Sequence, residues 1–167
     1  CTLNQKRMVE LVEFSEAHLP QSFLWIQDED LKRNFLFRKS VSRESHKQWF
    51  ESYLKYDSQQ LFAIFYQNKH VGNVGLKNID EINKNSETWM YIGDVSMKGK
   101  GIGVEANKQL CLNVKNKFRK LYAHIAEFNA SSIKMYQKSG FIPEGNFKDQ
   151  LFFEDRFHNL LRFAYFL

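Results

Sequence analysis

Apolar positions along this chain follow two periods, close to two and close to four residues, and they change over at turn-forming residues. Met8 to Phe14, mostly apolar and ahead of Ser15, reads as a first strand. Ser15 and Glu16 suit a helix cap and first turn, and Leu19, Phe23 and Leu24 carry partial helical spacing as far as Trp25. The polar stretch after Trp25 predicts a short helix and a loop. Ser42 reads as an N-cap with Glu44 near the positive helix end. Trp49, Phe50, Tyr53 and Leu54 then form one apolar helix face. The continuous run LFAIFY (61–66) predicts a buried strand. Residues 67–69 are a turn, and 70–79 return as a second strand of the pair. Residues 80–86 are loop-like, and 87–95 make a further strand. After a glycine-rich loop, Ile102, Ala106, Leu110, Val114 and Phe118 recur every fourth residue, with Cys111 beside them, and predict a helix. Leu121, Ala123 and Ile125 alternate with Tyr122, His124 and Ala126 as another strand. Asn129 and Ser131 open a short helix that Gly140 closes. Phe141–Phe153 and Phe157–Phe166 flank Glu154-Asp155-Arg156 and predict a terminal hairpin.

The resulting order is β–α–α–β–β–β–(glycine loop)–α–β–α–β–β. Three closely linked strands imply an antiparallel meander, and the strand–helix–strand that follows implies a parallel crossover. The expected fold class is α/β of the α+β type: a mixed, mainly antiparallel sheet of about seven strands with helices on both faces. With no repeat and no linker, residues 1–167 read as one domain.

The 43% hydrophobic and 16% aromatic content, with 16 Phe, excludes a disordered chain. No apolar run reaches the ~18–20 residues of a membrane span, and the first ten residues lack the apolar core of a signal peptide. The two cysteines, Cys1 and Cys111, read as free thiols and favour a reducing, cytoplasmic compartment. Without CxxC or HxxxH, no metal framework is expected.

The net charge of +5 is concentrated in one place. Residues 98–120 hold seven basic residues against the single acid Glu105, whereas the remainder has 17 basic against 18 acidic. Lys108 to Lys120 reads either as a polyanion contact or as a solvated helix face. Lys98 and Lys100 sit among glycines, in Lys98-Gly99-Lys100-Gly101-Ile102-Gly103, where a strand gives way to a helix. Backbone N–H groups and about half a positive charge from the helix dipole favour a pyrophosphate there. A Walker loop is absent. The dinucleotide fingerprint matches from Gly101 to Ala106, but the 64 residues after Gly103 are too few for repeated βαβ units. The third pattern is a coenzyme A pyrophosphate loop, Gln/Arg-x-x-Gly-x-Gly/Ala, matched with Lys98 in first position.

With two further segments in the same order, the chain resembles the GCN5-related N-acetyltransferase (GNAT) superfamily. NASSIKMYQKSGF (129–141) is similar to that family's Asn, six residues, Tyr, three residues, Gly-Phe segment. Glu87 stands eleven residues before Lys98, where many members carry a base. Lysine for the usual Arg or Gln keeps the charge and loses the bidentate fork. The resemblance implies an acetyl-CoA-dependent N-acetyltransferase. Catalytic candidates are Glu87, as base directly or through water, and Tyr136, as acid for the leaving thiolate. Glu87 also reads as an exposed edge acid, and Tyr136 as an aromatic packing beside Ile133. The cofactor-binding set is Asp94, Val95, Ser96, Lys98, Gly99, Lys100, Gly101, Ile102, Gly103, Asn129, Ser132 and Tyr136. Asn129 reads as a pantetheine contact, with a plain N-cap as the other reading. The backbone of Asp94, Val95 and Ser96 is expected to pair with pantetheine like an added strand and to supply an oxyanion donor.

The acceptor is expected to be a small-molecule amine. The stretch 25–37 followed by 42–50 is most similar to the family's nucleotide-aminosugar acetyltransferases of sialic-acid-like pathways, while the terminal hairpin looks like the wider branch that also holds ribosomal-protein and polyamine acetyltransferases. Protein N-terminal (ribosomal-protein) and polyamine acetyltransferases are the alternatives. Trp25, Trp89, His46 and Arg38 are acceptor-side candidates, against core packing for the tryptophans and plain exposure for the other two. A basic nucleic-acid binder is the remote alternative, disfavoured because no aromatic series interleaves the lysines. No nucleic-acid or membrane partner is expected, and a homodimer through the Phe-rich hairpin stays open.

Overall fold

The structure is a computed structural model that describes residues 9–167; Cys1, expected as a free thiol, and Met8, expected to open the first strand, lie outside the described residues. Strand β1 (Val9–Glu13) leads through a 3-10 turn to α1 (Leu19–Trp25), α2 (Glu29–Asn34) and α3 (Arg43–Tyr53). A meander follows: β2 (Gln60–Tyr66), β3 (Lys69–Asp80) and β4 (Asn85–Ile92). Then come α4 (Ile102–Val114), β5 (Lys120–Ala126), α5 (Ala130–Lys138), β6 (Ile142–Phe153) and β7 (Arg156–Phe166). The strands form one seven-stranded sheet in the order β1-β2-β3-β4-β5-β7-β6, parallel only between β4 and β5. Among the described residues no helix is long and apolar enough to cross a membrane.

Local chemistry sets most boundaries. The Asp28 and Ser42 side chains accept the Leu31 and Ser45 N–H groups and start α2 and α3. Helix α4 stops at Val114, and Phe118 reaches the core from the turn after it, so the fourfold ladder outruns the helix by one step.

Alternation along the strands sorts the core onto two faces. On one face α4 and α5 cover Val71, Val74, Leu76, Met90, Leu121, Ala123 and Phe163. Leu110 of α4 is fully buried there, and truncating such a leucine costs about 2–5 kcal/mol. On the other face α1 and α3 bring Leu19, Phe50 and Tyr53 against Leu61 and Ala63. A smaller cluster of Trp25, Ile26 and Leu31 packs against Tyr91.

Candidate active site

The parallel joint of the sheet is short. β4 and β5 pair at three positions: Asn85 with Lys120, Ser86 with Leu121, and Glu87 with Tyr122. β4 runs on to Ile92 and β5 to Ala126 without a further paired position. The two strands therefore bound a wedge that opens toward their C-terminal ends, where open α/β sheets take their ligands. Glu87 is the last paired residue and Thr88 the first beyond it. Because side chains alternate, Glu87, Trp89 and Tyr91 face α1–α3, whereas Thr88 and Met90 face α4 and α5.

The glycine-rich loop stands at the mouth of this wedge. Gly99 and Gly101 have φ of +77° and +75°, and a Cβ added to either would meet nothing within 4 Å. Lys98 and Lys100 are exposed beside them. The first turn of α4 aims its unpaired N–H groups at the same space, so residues and backbone together suit a pyrophosphate. Ile102 and Gly103 differ from the other loop residues: both are buried, and a Cβ on Gly103 would lie 2.4 Å from Met135 Sδ of α5. Their side-chain positions serve helix packing.

The expectation of an extended backbone at Asp94, Val95 and Ser96 is corrected. β4 ends at Ile92, and Val95–Met97 is a 3-10 turn. Asp94 causes the turn: its carboxylate accepts the Ser96 N–H and hydroxyl, and Lys69 Nζ sits 2.7 Å from it. These partners hold its pKa below the usual carboxylate range. The N–H groups of Gly93 and Asp94 donate to the Val71 carbonyl. The extended backbone beside the wedge is therefore Thr88 to Ile92.

Glu87 is held at both carboxylate oxygens. Asn78 Nδ2 donates to Oε2 at 2.8 Å, while His124 Nδ1 and Lys77 Nζ lie 3.3 and 3.4 Å from Oε1. Lys77 and Asn78 are consecutive and would point to opposite faces of a regular strand. A register shift between Lys77 and Asp80, with Asn78 at φ +50°, brings both to Glu87. Such strain in a non-glycine residue is costly and gathers at functional sites. Glu87 is 8% exposed, so the expected edge acid is an oriented, nearly buried carboxylate. Tyr122 lies beside it; burial first, and the Glu87 charge second, raise the Tyr122 pKa, while the Arg162 guanidinium stacks 3.8 Å over its ring.

Tyr136 is fixed by its own segment. Asn129 caps α5 by accepting the Ser132 N–H and the Ser131 hydroxyl. Gly140, at φ +94°, reverses the chain so that the Phe141 N–H returns to the Tyr136 carbonyl. The Phe141 ring then meets the Tyr136 ring edge-on at 5.0 Å. Tyr136 is 3% exposed, and burial chiefly, with the Glu87 charge behind it, raises its pKa. It therefore holds its proton at any working pH. The Thr88 hydroxyl faces this phenol and offsets part of that rise, although its oxygen makes no hydrogen bond of standard geometry. Burial pushes the Cys111 thiol up to about 11, so it too stays protonated.

The acceptor-side candidates divide. Trp25 lies flat against Gly93, whose added Cβ would sit 2.0 Å from the indole, and edge-on to His70 at 4.7 Å. With Gln21, Lys69, His70, Asp94 and Val95 it lines a cavity of about 350 Å³. Trp89 donates to the Tyr53 hydroxyl and stacks near Tyr91. His46 was expected to be exposed; it is buried against Trp49 and Phe23, and burial lowers its pKa. Arg38 donates to the Phe152 carbonyl. It helps the bidentate Arg33–Glu154 pair tie the α2 region to the β6–β7 turn. Sequence reasoning missed Asn78, His124, Lys77 and Thr88. It also missed the buried relay from His70 through Asn73 to Ser22 and Tyr91. Strand register brings most of these residues together, and the packing of α1 on the sheet adds Ser22.

Comparison with known proteins bears on the fold and the family. The protein MJ1062 of Methanocaldococcus jannaschii is 29% identical over 133 residues, which are 78% of this chain and 25% of that protein. The chain thus spans a quarter of the length of the curated relative it matches. The spermidine N-acetyltransferase of Vibrio cholerae, in complex with CoA and spermine, superposes with a TM-score of 0.86 at 18% identity, over 95% of each chain. The ribosomal L7/L12 α-N-protein acetyltransferase RimL, in complex with CoA, gives 0.87 at 19% identity, over 97% of this chain and 96% of that one. The microcin C7 self-immunity acetyltransferase MccE, with acetyl-CoA and AMP, gives 0.81 at 17% identity, over 97% and 94%. At such identities these likenesses speak for the fold. Residues 9–142 match the family described as the acetyltransferase (GNAT) domain, and this chain belongs to that family.

Proposed function

We propose that this chain moves the acetyl group of acetyl-CoA to a primary amine, and that the amine belongs to a nucleotide-linked aminosugar. The observation that carries the reaction is the closed end of the wedge, where an oriented carboxylate on one face lies one residue from a buried hydroxyl pair on the other. Acetyl-CoA, when bound, supplies a thioester carbonyl and a thiolate leaving group. The open cradle of Lys98, Gly99, Lys100 and Gly101 and the first-turn N–H groups of α4 hold its phosphates. Asn129 and Ser132 bound the α5 side of the same cleft. Backbone N–H groups at the end of β4 meet the carbonyl oxygen as charge develops on it. Glu87 takes the proton that the amine nitrogen loses as it bonds to the carbonyl carbon, directly or through one water. Tyr136 gives its proton to the sulfur as the carbon–sulfur bond breaks. Proton exchange through solvent then restores both groups.

The charge pattern supports an aminosugar over a polyamine. Glu87, Asp94 and Glu154 on the acceptor side are each paired with a cation, Lys77, Lys69 and Arg33. That leaves little free negative charge to hold a polycation. Trp25, with Lys69 and His70, lines the cavity that would take the sugar. A thiol-release assay with acetyl-CoA across UDP- and dTDP-aminosugars, polyamines and short ribosomal N-terminal peptides tests the reading. The expected result is release above background hydrolysis with the aminosugars. A higher kcat/KM with polyamines or peptides moves the acceptor class, and no release with any amine together with no CoA binding refutes the activity.

A further inference from the structure

Two hydroxyls stand on the same face of β4, two residues apart, and they differ in one respect. The Ser86 hydroxyl donates to the Lys77 carbonyl at 3.0 Å. The Thr88 hydroxyl is buried and stands against the Tyr136 phenol without a hydrogen bond of standard geometry. A buried hydroxyl that makes no well-aligned hydrogen bond costs up to about 1–3 kcal/mol, and valine would fill the same space without that cost while suiting a strand at least as well. Thr88 is also the first residue of β4 beyond the last β4–β5 pair, with Leu76 opposite it on β3. Its hydroxyl therefore stands where the wedge begins, against the Tyr136 phenol and within the apolar layer that includes Met90 and Cys111.

We propose that the Thr88 hydroxyl is a binding contact for the thioester end of acetyl-CoA, a second hydroxyl donor beside the Tyr136 phenol at the closed end of the β4–β5 wedge. This rests on the reading that acetyl-CoA enters the wedge. Glu87 and Thr88 then serve the two substrates from opposite faces of one strand, through adjacent residues. A hydroxyl kept dry by Met90, Leu76 and the α5 side chains is worth more to a ligand than one in water.

Calorimetric titration separates this role from a structural one. Acetyl-CoA and desulfo-CoA, which lacks the sulfur and the acetyl group, are titrated into the wild-type chain, Thr88→Val and Thr88→Ser. Thr88→Val is expected to weaken acetyl-CoA about 3- to 10-fold. It should leave desulfo-CoA unchanged and raise the urea midpoint of unfolding, while Thr88→Ser keeps wild-type affinity for both ligands. Wild-type affinity for acetyl-CoA in Thr88→Val overturns the proposal. So does an equal loss of both ligands, since the hydroxyl would then act by holding the sheet. A wild-type chain that binds neither ligand overturns the cofactor reading itself, and the Thr88 contact with it.

Discussion

Replacing Gly101 and Gly103 one at a time by alanine separates the two tasks of the glycine-rich loop. At Gly101 the backbone is left-handed, φ +75°, and the added methyl meets no protein atom within 4 Å. The conformational penalty for alanine there is about 1–2 kcal/mol. In a chain of this size that lowers Tm by roughly 2–8 °C, at about 2–4 °C per kcal/mol. The methyl also fills the space through which a phosphate approaches the helix N–H groups, so CoA affinity should fall at least about tenfold, the loss of roughly 1.4 kcal/mol. At Gly103 the helix conformation is ordinary, and the methyl instead meets Met135 Sδ at 2.4 Å. A flexible thioether can yield, so the cost is the lower end of overpacking, about 1 kcal/mol, with CoA affinity within a factor of about three. Urea denaturation measures the first quantity and isothermal titration of CoA the second. Full CoA affinity in Gly101→Ala, or a tenfold loss in Gly103→Ala without destabilisation, would refute the assignment of cradle and packing positions.

Tyr136→Phe should lower turnover by about 10²-fold while CoA affinity in a titration stays near wild type, as expected for a group that acts on the leaving thiolate. Asn78→Ala frees one oxygen of Glu87 and places alanine in a left-handed position; kcat should fall about tenfold with KM for acetyl-CoA unchanged, in steady-state kinetics. Stability should decline in acid. Burial lowers the pKa of His18, His46 and His70, so below about pH 6.5 the unfolded chain takes up protons that the folded chain refuses. Urea midpoints at pH 7.5 and 5.5 read this loss, and His70→Gln should reduce the difference.

The order of elements was legible because each rests on local chemistry. Ser42 and Asn129 cap helices as expected, and Gly140 ends α5 with the positive φ that its position demands. The site was legible wherever one segment carries it, as from Asn129 to Phe141 and from Lys98 to Gly101. It was hidden wherever register decides. Asn78 and His124 lie nine and 37 residues from Glu87, and a strand irregularity brings Asn78 to it. The segment Ile92-Gly93-Asp94-Val95, apolar at both ends, reads in the sequence as a continuing strand. Asp94 stops it by drawing in the Ser96 N–H, a contact that residue types alone leave open.

The three-position joint between β4 and β5 also has a mechanical meaning. β1–β4 and β5–β7 behave as two plates welded along one short seam, with the far ends of the seam left apart. A molecule that lays its own amides between those ends completes the weld. Amide hydrogen exchange along Thr88–Ile92 should therefore slow sharply once CoA is added. Resistance to heat should climb with cofactor concentration, by about 2.7 kcal/mol at a hundredfold excess over Kd. On the proposed reading, the substrate is then a structural member of the enzyme during each turnover, and its departure returns the sheet to a partly opened seam.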